Sequence, residues 1–340
     1  MIKDFSYYLS KFLSKYLPGE ENLSTNTIAV YRDSFKLFLK YCNEQQKLPP
    51  NRISLSILTR ELVVDFLDWI ESERGCAVAT RNQRLSSIHG FIKFVQAESP
   101  DDLYEFTRIL GIPSKKAPKT IVQYLTEDDL KILFDQPDTQ TKQGRRDLTL
   151  LVLMYDSAAR VQEISNLRVK DIRLSSPAVI TLNGKGRKTR QVPLLGKTKQ
   201  LVSDYIDSIE KLVWGVAFSE VPLFFNQRRQ PLTRWGISHI LDKYVAIARA
   251  NSDFSTRFPV TPHILRHSKA MGMLKANVPL IYIRDFLGHV GISTTEVYAR
   301  ADNDMKRRSL EMAHRDLSPQ EMPDWEDDDN LMEWLSGLCK

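Results

Sequence analysis

Cysteine is scarce: Cys42, Cys76 and Cys339 are the only three in 340 residues, and they share no spacing that a disulfide framework or a zinc cluster would use. Long apolar runs are missing too. None approaches the ~18–20 residues that a membrane span requires. The opening MIKDFSYYLSKFLSKYL interleaves Lys, Asp and Ser with its apolar residues, unlike a secretory leader. There is no internal repeat, no low-complexity segment outside an acidic tail, and no His/Asp/Glu group with ligand spacing. These absences set the first expectations: a reducing, cytoplasmic setting, no membrane partner, no metal and no other cofactor.

Charge is present in quantity and unevenly spread. The net value is +6, yet from Ser318 onward seven acids face one base, so the tail carries −6 and residues 1–317 carry +12. A basic body points to a polyanionic partner. Hydrophobic residues at 42% and charged residues at 26% describe an ordinary globular chain whose length suits about two domains.

The first hundred residues carry helical periodicity. Ile28, Tyr31, Phe35, Phe38, Leu39 and Cys42 follow a Ser24–Thr27 capping cluster; Leu62, Val63, Phe66, Leu67 and Ile70 repeat the pattern after Pro49-Pro50. A third stripe runs from Leu85 through Ile88, Phe91, Ile92 and Val95, and its other face carries Arg81, Arg84, His89 and Lys93. Such a face is either solvated or laid along a phosphate backbone. Gly111–Lys119, with two prolines and three lysines, reads as a linker. The division is therefore a helical domain at 1–110, a linker at 111–119, a second domain at 120–317, and an acidic tail at 318–340. In that tail Leu331, Trp334, Leu335 and Leu338 share a helical face. The second domain is helical apart from AVITL and TRQVPL, a hairpin whose Asn183-Gly184 favours a tight turn. The fold class is mainly α with a small β-sheet insertion.

Four features of the second domain carry chemistry. Arg160 lies three residues before Glu163, on a shared helix face. Lys185 sits at the hairpin tip between Gly184 and Gly186. His263 and Arg266, three apart, point the same way on a helix. His289 precedes Tyr298 by nine residues, with Ser293 and Glu296 forming a capping-box signature between them. Taken singly, each has a structural explanation: a surface ion pair, a solvated hairpin, a core histidine. Their order is what those explanations leave over.

Arg, Lys, His-x-x-Arg, Leu-Gly-His and then Tyr, in that order, resemble the tyrosine recombinase (phage integrase) family across the second domain, and TRNQRLSSIHGFIKF resembles the family's N-terminal core-site-binding, SAM-like domain. The likeness is greatest to the simpler Xer-type and transposon-borne members. It implies a metal-independent site-specific DNA recombinase whose two domains close on double-stranded DNA, acting as a homotetramer on two sites in the nucleoid. The C-terminal helix would either pack into a neighbouring protomer, as in the family, or fold onto its own domain. Tyr298 would be the nucleophile and form a 3′-phosphotyrosine. Arg160 and Arg266 would clamp the phosphoryl oxygens. Lys185 would protonate the leaving 5′-oxygen. His263 would accept the tyrosine proton or steady the phosphate, His289 would bond a non-bridging oxygen, and Glu163 would orient Arg160 or a nearby histidine. His267 is read as structural. Ala158-Ala159 replaces the family's frequent Gly-Leu, a change of packing. Arg228, Arg229, Arg234 and His239 stand where members present a helix to DNA. The rival expectations are a type IB topoisomerase and a DNA-binding regulator without catalysis.

Overall fold

The computed structural model describes residues 4–99, 103–117, 122–184, 188–210, 217–289, 291–301 and 330–338. The chain divides into two compact units, one ending at Thr120 and the other starting at Ile121.

The first unit is helical: α1 (Phe5–Lys11, running on as a wider turn through Phe12–Glu20), α2 (Thr25–Glu44), α3 (Arg60–Ser72), α4 (Val78–Glu98) and α5 (Leu103–Leu110). Ser24 and Thr59 start α2 and α3 by accepting from the backbone N–H groups of Thr27 and Leu62. The apolar stripes of the sequence meet as one core, in which Phe35 packs edge-on to Phe91 and Phe38 edge-on to Phe66.

The other side of α4 corrects the expectation of an open basic face. Arg81 is only 4% exposed and donates to the Pro113 carbonyl; Arg84 donates to Ser34, and His89 pairs with the Ile109 carbonyl. Neighbouring helices and the segment after α5 take up these three side chains, and of the four only Lys93 is exposed. The start of the linker is likewise held: Ile112 is buried, and Asn82 exchanges two hydrogen bonds with the Lys115 backbone.

The second unit is mainly α with a small antiparallel sheet. It runs α6 (Glu127–Phe134), α7 (Lys142–Asp156), α8 (Val161–Asn166), β1 (Ile172–Arg173), β2 (Val179–Asn183), β3 (Thr189–Pro193), α9 (Gly196–Glu210), α10 (Arg234–Ala248), α11 (Pro262–Lys275), α12 (Leu280–Leu287) and α13 (Ser293–Ala301). Strand order is β1-β2-β3, and Asn183 pairs with Thr189 at the end of the hairpin. The connection is thus longer than the tight turn that Asn183-Gly184 favours. β1, two residues long, gives no alternation to read. Asp129, nearly fully buried, binds the unit's sequence-distant halves together by accepting from Ser255 N, Ser255 Oγ and Thr256 Oγ1. A short helix, α14 (Leu331–Gly337), lies in the tail, with Trp334, Leu335 and Leu338 each more than a third exposed.

Candidate active site

Four segments of the second unit bring the site together. The first is the turn after α7. Ala158 adopts a left-handed conformation (φ 46°), which glycine takes without strain, so the departure from Gly-Leu concerns backbone conformation as well as packing. The turn delivers Arg160, which is extended (φ −72°, ψ 147°) and precedes α8 rather than lying within it. Glu163, three residues on, accepts the Arg160 backbone N–H through Oε2 (2.8 Å) and its Nη1 through Oε1 (3.0 Å).

The second segment is β3. Arg190 donates to both oxygens of Glu163 at 2.8 Å and, through Nε, to the Phe286 carbonyl at 3.0 Å. One buried carboxylate therefore binds two guanidiniums. Burial alone would raise the Glu163 pKa, but Arg190 and then Arg160 outweigh it and hold the carboxyl below its ordinary value. Lys185, at the hairpin tip, lies outside the described residues; its neighbour Gly184 borders the site, where an added Cβ would come within 3.3 Å of Glu163 Oε1.

The third segment is α11. Arg266 is 2% exposed, and its Nη1 and Nη2 donate to the carbonyls of Ala158 and Leu287. Burial, with Arg160 and Arg190 nearby, lowers its pKa to about 10, so it keeps its charge at neutral pH. His263 is exposed in the first turn and stacks on His267 one turn later, the ring centroids 5.7 Å apart.

The fourth segment is α12, the loop after it, and α13. Gly288 ends α12 in a left-handed conformation, and Arg160 Nη2 reaches its carbonyl at 3.3 Å. His289 pairs with Thr295 Oγ1 through Nδ1 at 3.0 Å. The backbone of α13 starts from the Ile292 carbonyl, which accepts from Thr295 and Glu296, so Ser293 is its first residue rather than its cap. Tyr298 is 3% exposed, seated among Ala158, Ala270, Met271, Leu274, Ile283 and Leu287. Its hydroxyl lies 2.8 Å from His267 Nδ1, and its ring is parallel to that of His289 at 6.5 Å.

Arg160, Glu163, Arg266, His289 and Tyr298 thus converge, with His263 at the rim. Two contributors were not singled out from sequence: Arg190, and His267, read there as structural. The i, i+4 spacing of His263 and His267 was the available signal for the latter. Burial, followed by nearby cations, pulls the pKa of both His267 and His289 down to about 4, so both rings are neutral at pH 7. Burial raises the Tyr298 pKa, against a downward pull from Arg266 and Arg160. A cavity of about 500 Å³ opens over this cluster, lined by Arg160, Lys188, Arg190, Gly288, His289 and Thr294 among others. Its two guanidiniums, Arg160 and Arg190, can hold an oxyanion. No group of three or more His, Cys, Asp or Glu among the described residues could hold a metal ion.

Elsewhere in this unit, Arg228, Arg229, Arg234 and His239 are all exposed, on an Asn226-centred turn and the start of α10, with Trp235 84% exposed between them. A second cavity, about 490 Å³, lies beside His239 and the cations Lys142, Arg145 and Arg146 of α7.

Comparison with known proteins matches residues 123–305 to the phage integrase family and residues 10–99 to the phage integrase N-terminal SAM-like domain. The Sinorhizobium fredii protein y4rC is 32% identical over 97% of each chain. Tyrosine recombinase XerC of Bacillus subtilis is 30% identical over 89% of this chain and 95% of that protein. Among solved structures, the XerH recombinase bound to its palindromic difH substrate shares the fold (TM-score 0.66, 21% identity, 86% of this chain and 80% of that one). So does the Tn1549 transposon integrase in complex with transposon right-end DNA (TM-score 0.69, 14% identity, 89% and 98%). With both of its units matched, the chain belongs to the phage integrase family and is a tyrosine site-specific recombinase.

Proposed function

We propose that Tyr298 attacks a phosphodiester of duplex DNA, forming a 3′-phosphotyrosine from which a 5′-hydroxyl of a second duplex displaces it. The observation that carries this reading is the convergence of a phenol with two guanidiniums and neutral imidazoles in one unit of the protein. Phosphoryl transfer by a phenol concentrates charge on the non-bridging oxygens, and Arg160 and Arg266 neutralise it where a metal otherwise would. Arg266 is fixed by its two carbonyl acceptors, while Arg160 keeps a third of its side chain open to a ligand. Glu163 and Arg190 fix Arg160. His289 donates to a non-bridging oxygen, His263 steadies the phosphate, and Lys185 protonates the departing 5′-oxygen. Arg228, Arg229, Arg234 and His239, with Lys93 on the first unit, contact the DNA backbone or bases. Four copies acting on two sites would use α14 to cover a neighbouring protomer.

The test starts from nicked duplexes of random sequence. Complexes resistant to detergent are recovered and sequenced to find the target, and pairs of selected duplexes are then assayed for strand exchange. The expected result is a covalent adduct with the native protein, none with Tyr298→Phe, and joint molecules from two duplexes. Relaxation of supercoiled DNA without joint molecules would replace recombination by a topoisomerase reading. Tight binding without any adduct would replace it by a regulator.

A further inference from the structure

His267 is the described residue in hydrogen-bond contact with the nucleophilic oxygen. We infer that it is a catalytic residue of this reaction: its Nδ1 takes the phenolic proton of Tyr298 as the oxygen attacks phosphorus. The inference rests on Tyr298 being the nucleophile, as proposed above.

The geometry separates His267 from the other two imidazoles. At 2.8 Å its Nδ1 lies within the distance at which a base activates a nucleophile. The ring meets the phenol edge-on, with centroids 5.5 Å apart. His289 has its Nδ1 on Thr295, and its ring stands parallel to the phenol with the centroids 6.5 Å apart. His263, one turn up the helix, contacts the His267 ring and is exposed. With its proton on Nε2, a neutral His267 turns the Nδ1 lone pair to the hydroxyl.

The step balances without any added reagent. The Tyr298 O–H bond breaks toward Nδ1, the Oη–P bond forms and the P–O5′ bond breaks, with O5′ leaving on the proton of Lys185. In the reverse step the imidazolium returns its proton to the phenol. The charged and titratable groups around the pair are His263 and Arg266 on α11, Arg160 before α8, Arg190 on β3, and His289 after α12. Burial, His263 and Arg266 keep the free imidazole neutral. A bound phosphodiester anion offsets the cations and strengthens the base at the moment it is needed.

Single-turnover cleavage of a selected nicked duplex tests the assignment. His267→Phe keeps the ring volume and removes the lone pair. It is expected to bind DNA normally, to cleave about a hundredfold more slowly at pH 7, and to recover about tenfold per pH unit up to pH 9 as hydroxide replaces the base. The native rate should stay nearly flat over the same interval. His267→Asn keeps a short polar acceptor without basicity and is expected to behave like the Phe variant; should the Phe variant fold poorly, the Asn variant decides alone. Cleavage by the deciding variant within about threefold of native, or a slow rate that does not climb with pH, overturns the assignment. Tyr298→Phe is run alongside: an adduct from that variant would overturn the nucleophile itself, a failure distinct from that of His267.

Discussion

Glu163 is the smallest part of the site on which the rest depends. It is nearly buried and it joins a loop, a helix start and a strand through Arg160 and Arg190. Glu163→Gln leaves two guanidiniums without their shared counter-charge. The expected cost is about 3 kcal/mol of unfolding free energy, read by denaturant titration, together with loss of adduct formation. Acid has a parallel effect. Because the folded Glu163 titrates below its unfolded value, its contribution is complete above the ordinary carboxylate range and disappears as pH falls through the lower folded value. His267 and His289 add to this: between about pH 6.5 and 4 the unfolded chain binds protons that these folded rings refuse, so stability falls as pH drops through that window. Calorimetric melting should therefore show Tm declining from pH 7 to pH 4, with a shallower decline in His267→Phe; a flat Tm would contradict the half-buried neutral histidines. Arg160, His263, Arg266, His289 and Tyr298 were legible in sequence because their order and immediate neighbours repeat a pattern. Arg190 and His267 were not, because their partners lie 27 and 31 residues away and only the folded chain brings them together.

At the scale of elements, the loop between α12 and α13 couples Tyr298 to the cations. Gly288 ends α12 at φ 65°, and an added Cβ would lie 3.1 Å from Arg190 Cδ. Gly288→Ala is expected to cost about 1–2 kcal/mol for the backbone alone, read by thermal melting, and to slow cleavage further by displacing Arg190 from Glu163. Full stability with native cleavage would show that the loop tolerates a side chain. The long helices α2, α3 and α4 were readable because each carries an apolar stripe over several turns. β1 was not, since two residues carry no periodicity. The basic side of α4 misled for a different reason. A long cation can turn its head inward when a carbonyl or hydroxyl waits there, as Pro113 and Ser34 do for Arg81 and Arg84, and sequence spacing does not reveal such an acceptor.

For the whole molecule, two units with separate cores and a basic body make DNA affinity a matter of counterion release. Affinity for a selected duplex should fall by about a thousandfold between 50 and 200 mM salt; a fall of less than tenfold would argue against an extended phosphate interface. Truncation after Asp316 removes α14 and the acidic run together. It should leave single-site binding intact and abolish pairing of two duplexes, measured by gel mobility and cross-linking. Unchanged pairing would refute the exchange role of that helix. The charge asymmetry of the tail was plain in the sequence, whereas the proposed partner of its apolar face lies on a second copy of the chain.

The most direct measurement is the mass of the covalent link itself. Adduct trapped on a nicked duplex is digested with nuclease and trypsin, and the peptide from Asp285 to Arg300 is examined for a 3′-phosphonucleotide. The expected mass places that nucleotide on Tyr298 and nowhere else; an unmodified peptide accompanied by nucleotide on another residue would contradict the central claim.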